Sequence, residues 1–149
     1  MDRRTFVAAT LSLPLLSTAA WATPLRLTVH RSPTCGCCGA WAQHMLDAGF
    51  DVTMIEMDQD DLWNLKAQLG VPETAAGCHT AEINGYFVEG HVPASDIMRL
   101  VETAPDALGI AVPGMPAGSP GMEMAGRVDA FETLLVARDG TTTVFQSHA

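Results

Sequence analysis

Apolar and polar residues alternate along Leu25-Arg26-Leu27-Thr28-Val29-His30, the period-two pattern of a strand with one face in a core. Ser32-Pro33-Thr34 then turns the chain, with Thr34 placed to cap a helix running from about Cys35 to Ala48. Trp41, Met45 and Ala48 share one stripe of that helix, and Gly49 stands where a helix C-terminus wants glycine. Phe50 to Met57 reads as a second strand. Asp60 and Asp61 give the next helix an acidic start, Leu62, Leu65 and Leu69 form its apolar face, and Gly70-Val71-Pro72 ends it. A β-α-β-α opening implies a parallel crossover and an α/β fold.

The second half is patterned differently. Ala81 to Glu89 carries Asn84-Gly85 between two apolar-rich runs, a two-residue hairpin signal. Pro93 to Ala104 reads as a helix with Ile97, Leu100 and Val101 inward and Pro105 closing it. Val112 to Gly126 holds Pro113, Pro116, Pro120 and four glycines, so it reads as a long loop. Thr133–Val136 and Thr142–Phe145, joined through Asp139-Gly140, predict a terminal hairpin.

The first residues describe a leader. Arg3-Arg4 precede an apolar stretch to about Leu16, too short to span a bilayer, and Ala20-Trp21-Ala22 supplies the small-x-small pattern of a cleavage site. Residues 1–22 are therefore expected to be a signal peptide. The paired arginines followed by x-Phe-Val fit a twin-arginine signal and, equally, an ordinary basic n-region. The exported remainder is expected to be soluble, monomeric and periplasmic. The chain carries 8 Lys+Arg against 17 Asp+Glu, a net charge of −9, and the leader holds two of those arginines. So acidic a chain, with Lys66 its single lysine, lacks the electrostatic footprint for nucleic acid or anionic lipid.

Four cysteines in an oxidising compartment would ordinarily mean two structural disulfides. Here three of them fall in Cys35-Gly36-Cys37-Cys38, and adjacent cysteines pair only through a strained ring. Clustered thiols suit redox exchange or a soft metal better. Cys35 and Cys38 have Cys-x-x-Cys spacing at a helix start, where unpaired backbone N–H groups stabilise thiolates. A β-α-β-α-β-β-α order with that motif is the pattern of a thioredoxin-like fold. Residues 23–104 are expected to form this core, and residues 105–149 a C-terminal loop-and-hairpin extension packed on the same domain.

Hairpin register adds an independent deduction. With Asn84-Gly85 as the turn, Ile83 faces Tyr86, and counting outward pairs Thr80 with Glu89, His79 with Gly90 and Cys78 with His91. Cys78, His79 and His91 thus converge at the hairpin's open end, which in a thioredoxin-like core would sit beside the first helix's N-terminus. Neighbouring strand residues point to opposite faces, so Cys78 and His79 can share a site only if the strand starts irregularly there.

Ser32-Pro33-Thr34-Cys35-Gly36-Cys37-Cys38-Gly39, Cys78-His79-Thr80, Gly90-His91-Val92-Pro93, Val112-Pro113-Gly114-Met115-Pro116 and Gly118-Ser119-Pro120-Gly121-Met122-Glu123 together resemble the DUF411 family, the CopG-like copper-resistance proteins. The resemblance covers nearly all of the chain beyond the leader. It implies a periplasmic thioredoxin-like domain with a C-terminal extension. It also implies copper held as a cysteine-bridged multinuclear cluster at the Cys-x-Cys-Cys motif, and interconversion of Cu(I) and Cu(II) during copper resistance. Periplasmic copper chaperones or efflux components are the partners this role would involve.

The metal candidates are Cys35, Cys37, Cys38, Cys78, His79 and His91, with Met122 and Met115 from the Pro/Gly-rich loop. That loop has no core to fill, and thioethers favour Cu(I), so it could close over the site as a lid. The other reading of its methionines, Met124 included, is a plug against an apolar surface. His44 lies on the face of Cys37 but about 10 Å further along the helix, so it is expected to pack near the site. His30 and His148 read as exposed histidines, although a folded-back tail could deliver His148. Met45, Met54, Met57 and Met98 read as packing residues. Three functions stay open: a copper-binding redox protein, a thiol–disulfide oxidoreductase with Cys35 as nucleophile and Cys38 as resolving thiol, and a zinc or general metal-storage module. Four sulfurs plus two imidazoles exceed what one zinc wants, which favours copper; whether the site turns over as a copper-dependent oxidoreductase is a separate question.

Overall fold

The computed structural model describes residues 23–149, and the signal-peptide reading of residues 1–22 lies outside them. Strand β1 (Arg26–Arg31) pairs in parallel with β2 (Asp51–Glu56) through helix α1 (Gly36–Asp47). Its other edge takes β3 (Thr80–Ile83) antiparallel, after helix α2 (Gln59–Leu69) and a short 3-10 turn at Glu73–Ala75. Strand β4 (Tyr86–Glu89) returns beside β3, helix α3 (Ala94–Thr103) crosses over, and β5 (Gly109–Ala111) runs parallel to β4. The hairpin β6 (Phe131–Val136) and β7 (Thr142–His148) extends the same sheet, which reads β2-β1-β3-β4-β5-β6-β7. The described residues thus form a mixed α/β fold with one seven-stranded sheet and three α-helices.

Alternation along the strands divides the core between the sheet's two faces. Leu27, Val29, Ala81, Ile83, Val88 and Ile110 are buried in one cluster with Trp41 and Met45 of α1 and Ile97 and Leu100 of α3. Phe87, Ala111 and Val136 bury in a second cluster, with Ala75 and, at its edge, Leu69 of α2. Each large side chain buried this way contributes about 1.5–3 kcal/mol.

The hairpin register is the expected one: Ile83 with Tyr86, Glu82 with Phe87, Ala81 with Val88 and Thr80 with Glu89. Asn84 (φ 47°) and Gly85 (φ 83°) both take left-handed backbone, as a type I′ turn requires. Several expectations need correction. Cys35 rather than Thr34 caps α1, with no side-chain capping bond, because Ser32 C=O accepts from Cys35 N–H and closes the turn one residue later. Strand β5 has only three residues, too few for periodicity to register, and forms because β4 and β6 supply partners on both sides. Met54 and Met98 are exposed rather than packed, since β2 is an edge strand and Met98 lies on the outer face of α3. His30 is buried, with Nε2 2.9 Å from Glu82 Oε1. Within α2 only Leu62 of the three leucines is fully buried, and Lys66 shares its buried face. Among the described residues no helix is long and apolar enough to cross a membrane.

Candidate metal centre

Helix α1 begins immediately after Cys35, so the three clustered cysteines occupy its cap and first turn. The cap leaves first-turn N–H groups without side-chain acceptors, and the partial positive charge there favours thiolate sulfur. Arg31, from the end of β1, fixes the cap from below. Its Nη1 donates to Cys35 C=O at 2.9 Å and its Nη2 to Glu56 Oε1 at 2.7 Å.

Cys78 comes to this turn from the hairpin. Its Sγ lies 3.5 Å from Cys38 Sγ and 3.8 Å from Cys37 Sγ, and Cys35 and Cys37 sulfurs are 3.5 Å apart. Cys35 and Cys38 are joined by a disulfide, while Cys37 and Cys78 are free thiols. All four sulfurs fall within 4.8 Å of one another. A second group, also within 4.8 Å, consists of Cys78, His79 and His91, so Cys78 belongs to both.

The irregular strand start that Cys78 and His79 require is present: β3 begins at Thr80, and Cys78 occupies a bend before it. Gly90 N–H still donates to His79 C=O at 3.0 Å, which carries the hairpin register one step beyond β3 and brings His91 opposite Cys78. Gly90 itself sits at φ +72°, and a Cβ there would stand 2.5 Å from Val112 C=O, so only glycine lets the strand end close on the loop beyond β5.

Both imidazoles are held as neutral bases. His91 Nδ1–H donates to Pro120 C=O at 2.8 Å, which leaves Nε2 with its lone pair 3.1 Å from Cys78 Sγ. Burial pushes the His91 pKa down, against the pull of that carbonyl. His79 is fully buried, its ring centroid 4.4 Å from that of Trp41, with Nδ1 3.3 Å from Cys78 Sγ. Burial first, then the closeness of His91, beside which a second protonated imidazole is disfavoured, and the Lys66 ammonium hold its pKa well below the usual imidazole value. His79 Nε2 is buried with no hydrogen-bond partner among the described residues. The Cys78 thiol is pushed up to about 12, first by burial and then by Cys37.

The Pro/Gly-rich loop folds over α1. Gly121 has φ +83°, and a Cβ would stand 2.6 Å from Trp41 N and 2.9 Å from Cys37 C=O, so the backbone rests directly on the cysteine turn. His44 Nε2 meets Glu123 Oε1 at 2.6 Å, tying the loop to the helix from outside the ligand groups. Met122 lies two residues beyond Pro120, in a turn closed by its N–H on Ser119 C=O. Met115 and Met124 are 55% and 53% exposed. His148 is not delivered to the cysteines. It lies in β7, with Nε2 2.8 Å from Asp96 Oδ2, and stacks on Phe131.

Sequence reasoning missed four supports of this site: Arg31, Trp41, the Pro120 carbonyl, and a buried set formed by Lys66, Thr80 and Glu89. Lys66 could have been found, since it stands four residues after Leu62 and so falls on the apolar stripe of α2. Thr80 opposite Glu89 was implicit in the hairpin register. Nothing in the sequence pattern marks the Pro120 carbonyl.

Residues 75–122, which hold the hairpin half of the site and most of the overlying loop, match the model of a family described as Protein of unknown function, DUF411. Two solved structures named Copper resistance protein copG, Form 2 and Form 1, are similar to this chain at 46% and 48% identity, each with a TM-score of 0.79. Each match covers 85% of this chain, and 100% and 98% of theirs. No curated protein matches. Identity at that level over so much of both chains settles the kinship: this chain belongs to the DUF411 family, together with the CopG copper-resistance proteins.

Proposed function

We propose that the protein is an exported, periplasmic copper-binding protein that holds more than one copper ion across the α1 turn and the hairpin, and interconverts Cu(I) and Cu(II) in copper resistance. The observation that carries this reading is Cys78, a single thiol shared by a four-sulfur group and a thiol–diimidazole group. A shared thiolate suits a bridge between ions. The donor set fits copper: Cys35, Cys37, Cys38 and Cys78 supply soft sulfur, while His79 and His91 supply neutral imidazoles. One zinc would be saturated by four of these ligands, which argues against a simple zinc store. Met122 and Met115, on the loop that rests on α1, are the thioether candidates. Bound copper would supply one-electron redox chemistry, with the cysteines and histidines fixing its surroundings. The β1-α1-β2 unit, with Cys-x-x-Cys at the start of α1, supports reading residues 23–104 as a thioredoxin-like core and residues 105–149 as its extension. The copper-resistance role of the relatives supports export by the residue 1–22 leader, and copper chaperones or efflux components as partners.

The Cys35–Cys38 disulfide favours a second reading, a thiol–disulfide oxidoreductase. In its reduced form Cys35 would attack a substrate disulfide, and Cys38 would displace the mixed disulfide and release the substrate's dithiol. Metal competition and insulin reduction separate the two. The reduced protein, offered copper and zinc together, is expected to retain copper and to leave insulin disulfides intact. Zinc retained in copper's presence, or efficient insulin reduction that survives Cys37→Ser, would contradict the copper reading.

A further inference from the structure

Lys66, the chain's single lysine, is 2% exposed, and Glu89 and Thr80 are fully buried beside it. The three close a polar ring in the interior: Lys66 Nζ donates to Glu89 Oε1 and, at 2.8 Å, to Thr80 Oγ1, which donates to Glu89 Oε2 at 2.7 Å. Glu89 Oε1 also accepts Gly77 N–H at 2.7 Å. One carboxylate therefore holds the residue before Cys78 and the residue after His79. Those two ligand candidates are the only residues between its anchor points.

Taking a lysine and a glutamate out of water is expensive, and the same volume filled with apolar side chains would commonly be as stable or more so. Stability alone does not account for such a pair under an irregular bend. Beyond Thr80 a single ladder bond, Gly90 N–H to His79 C=O, reaches this bend among the described residues, so the placement of Gly77 and Cys78 must come from elsewhere.

We propose that Glu89, with Lys66 and Thr80, is a positioning clamp that sets the Cys78-His79 bend for metal binding. The inference rests on the copper reading of the site. Lys66 satisfies and neutralises the carboxylate, Thr80 orients it, and Glu89 Oε1 on Gly77 N–H fixes where the bend leaves the loop. Residues that orient metal ligands in this way typically carry a 10- to 100-fold effect on affinity.

The test compares two double variants of the full-length, reduced protein. Lys66→Met with Glu89→Gln removes both charges but keeps an amide oxygen for Gly77 N–H. Lys66→Met with Glu89→Leu removes the clamp as well. Cu(I) affinity is read by competition with a chromophoric cuprous chelator, and the copper-free fold by circular dichroism. The glutamine pair is expected to bind within about threefold of the unsubstituted protein, and the leucine pair, still folded, about 10- to 100-fold more weakly. A folded leucine pair with unchanged affinity would overturn the clamp, as would a folded glutamine pair that loses as much as the leucine pair. Hydrogen exchange of the copper-free protein decides independently of any variant. Gly77 N–H, outside every strand, is expected to exchange slowly, and exchange at loop rates would overturn the proposal. An unsubstituted protein that binds no Cu(I) defeats the copper reading instead, and leaves the Gly77 measurement to judge the clamp.

Discussion

Cys78 illustrates how much depends on single side chains. Burial pushes its thiol up to about 12, so in the metal-free protein it stays protonated at neutral pH. A metal must displace that proton to bind, and raising the pH therefore favours binding. His79 and His91 are pushed the other way by burial, so they remain neutral and release nothing at neutral pH. Copper affinity is expected to rise about tenfold per pH unit for each thiol proton displaced, measured by chelator competition at constant ionic strength. A flat profile near neutrality would show that no protonated thiol is a ligand. Lys66 and Glu89 make a second expectation at this scale. Removing either partner alone strands a buried charge, so Lys66→Ala or Glu89→Ala should each lower stability to denaturant by about 3–5 kcal/mol.

Between elements, the decisive joint is the loop resting on α1. Gly121 combines left-handed backbone with a Cβ direction that runs into Trp41 N. Gly121→Ala is expected to cost about 1–3 kcal/mol in urea unfolding and to loosen the Pro120 hold on His91. A neutral substitution would mean that the loop is not seated on the helix. The hairpin shows what could be read beforehand at this scale. Asn84-Gly85 fixes a two-residue turn, register follows from the turn, and register places His91 against Cys78 without any tertiary information. β5 escaped because three residues carry no period, and its existence depends on partners distant in sequence. The cap of α1 shifted by one residue for a local reason, the Ser32–Cys35 turn. Lys66 defied the usual rule that lysine marks a solvated face, since its partners Thr80 and Glu89 lie on other elements. Tertiary supports such as the Pro120 carbonyl were invisible because any residue offers a carbonyl.

For the whole molecule, one sheet carries both halves of the site: α1 arrives after β1, the hairpin is β3–β4, and β5 leads into the loop that covers them. The Cys35–Cys38 disulfide leaves two of the four thiols free, so metal uptake by the full set of proposed ligands requires two electrons and two protons first. Thiol titration of the unfolded protein is expected to find two free thiols before reductant and four after it, with copper uptake rising in step. Equal uptake by the oxidised and reduced forms would remove Cys35 and Cys38 from the ligand set. The most direct test of the central claim, that Cys78 joins two ligand groups, is copper bound per chain in the reduced protein and in Cys78→Ser. The account predicts more than one tightly held copper per unsubstituted chain, and a loss of at least one on replacing Cys78. One copper or fewer, or a content that Cys78→Ser leaves unchanged, would contradict it.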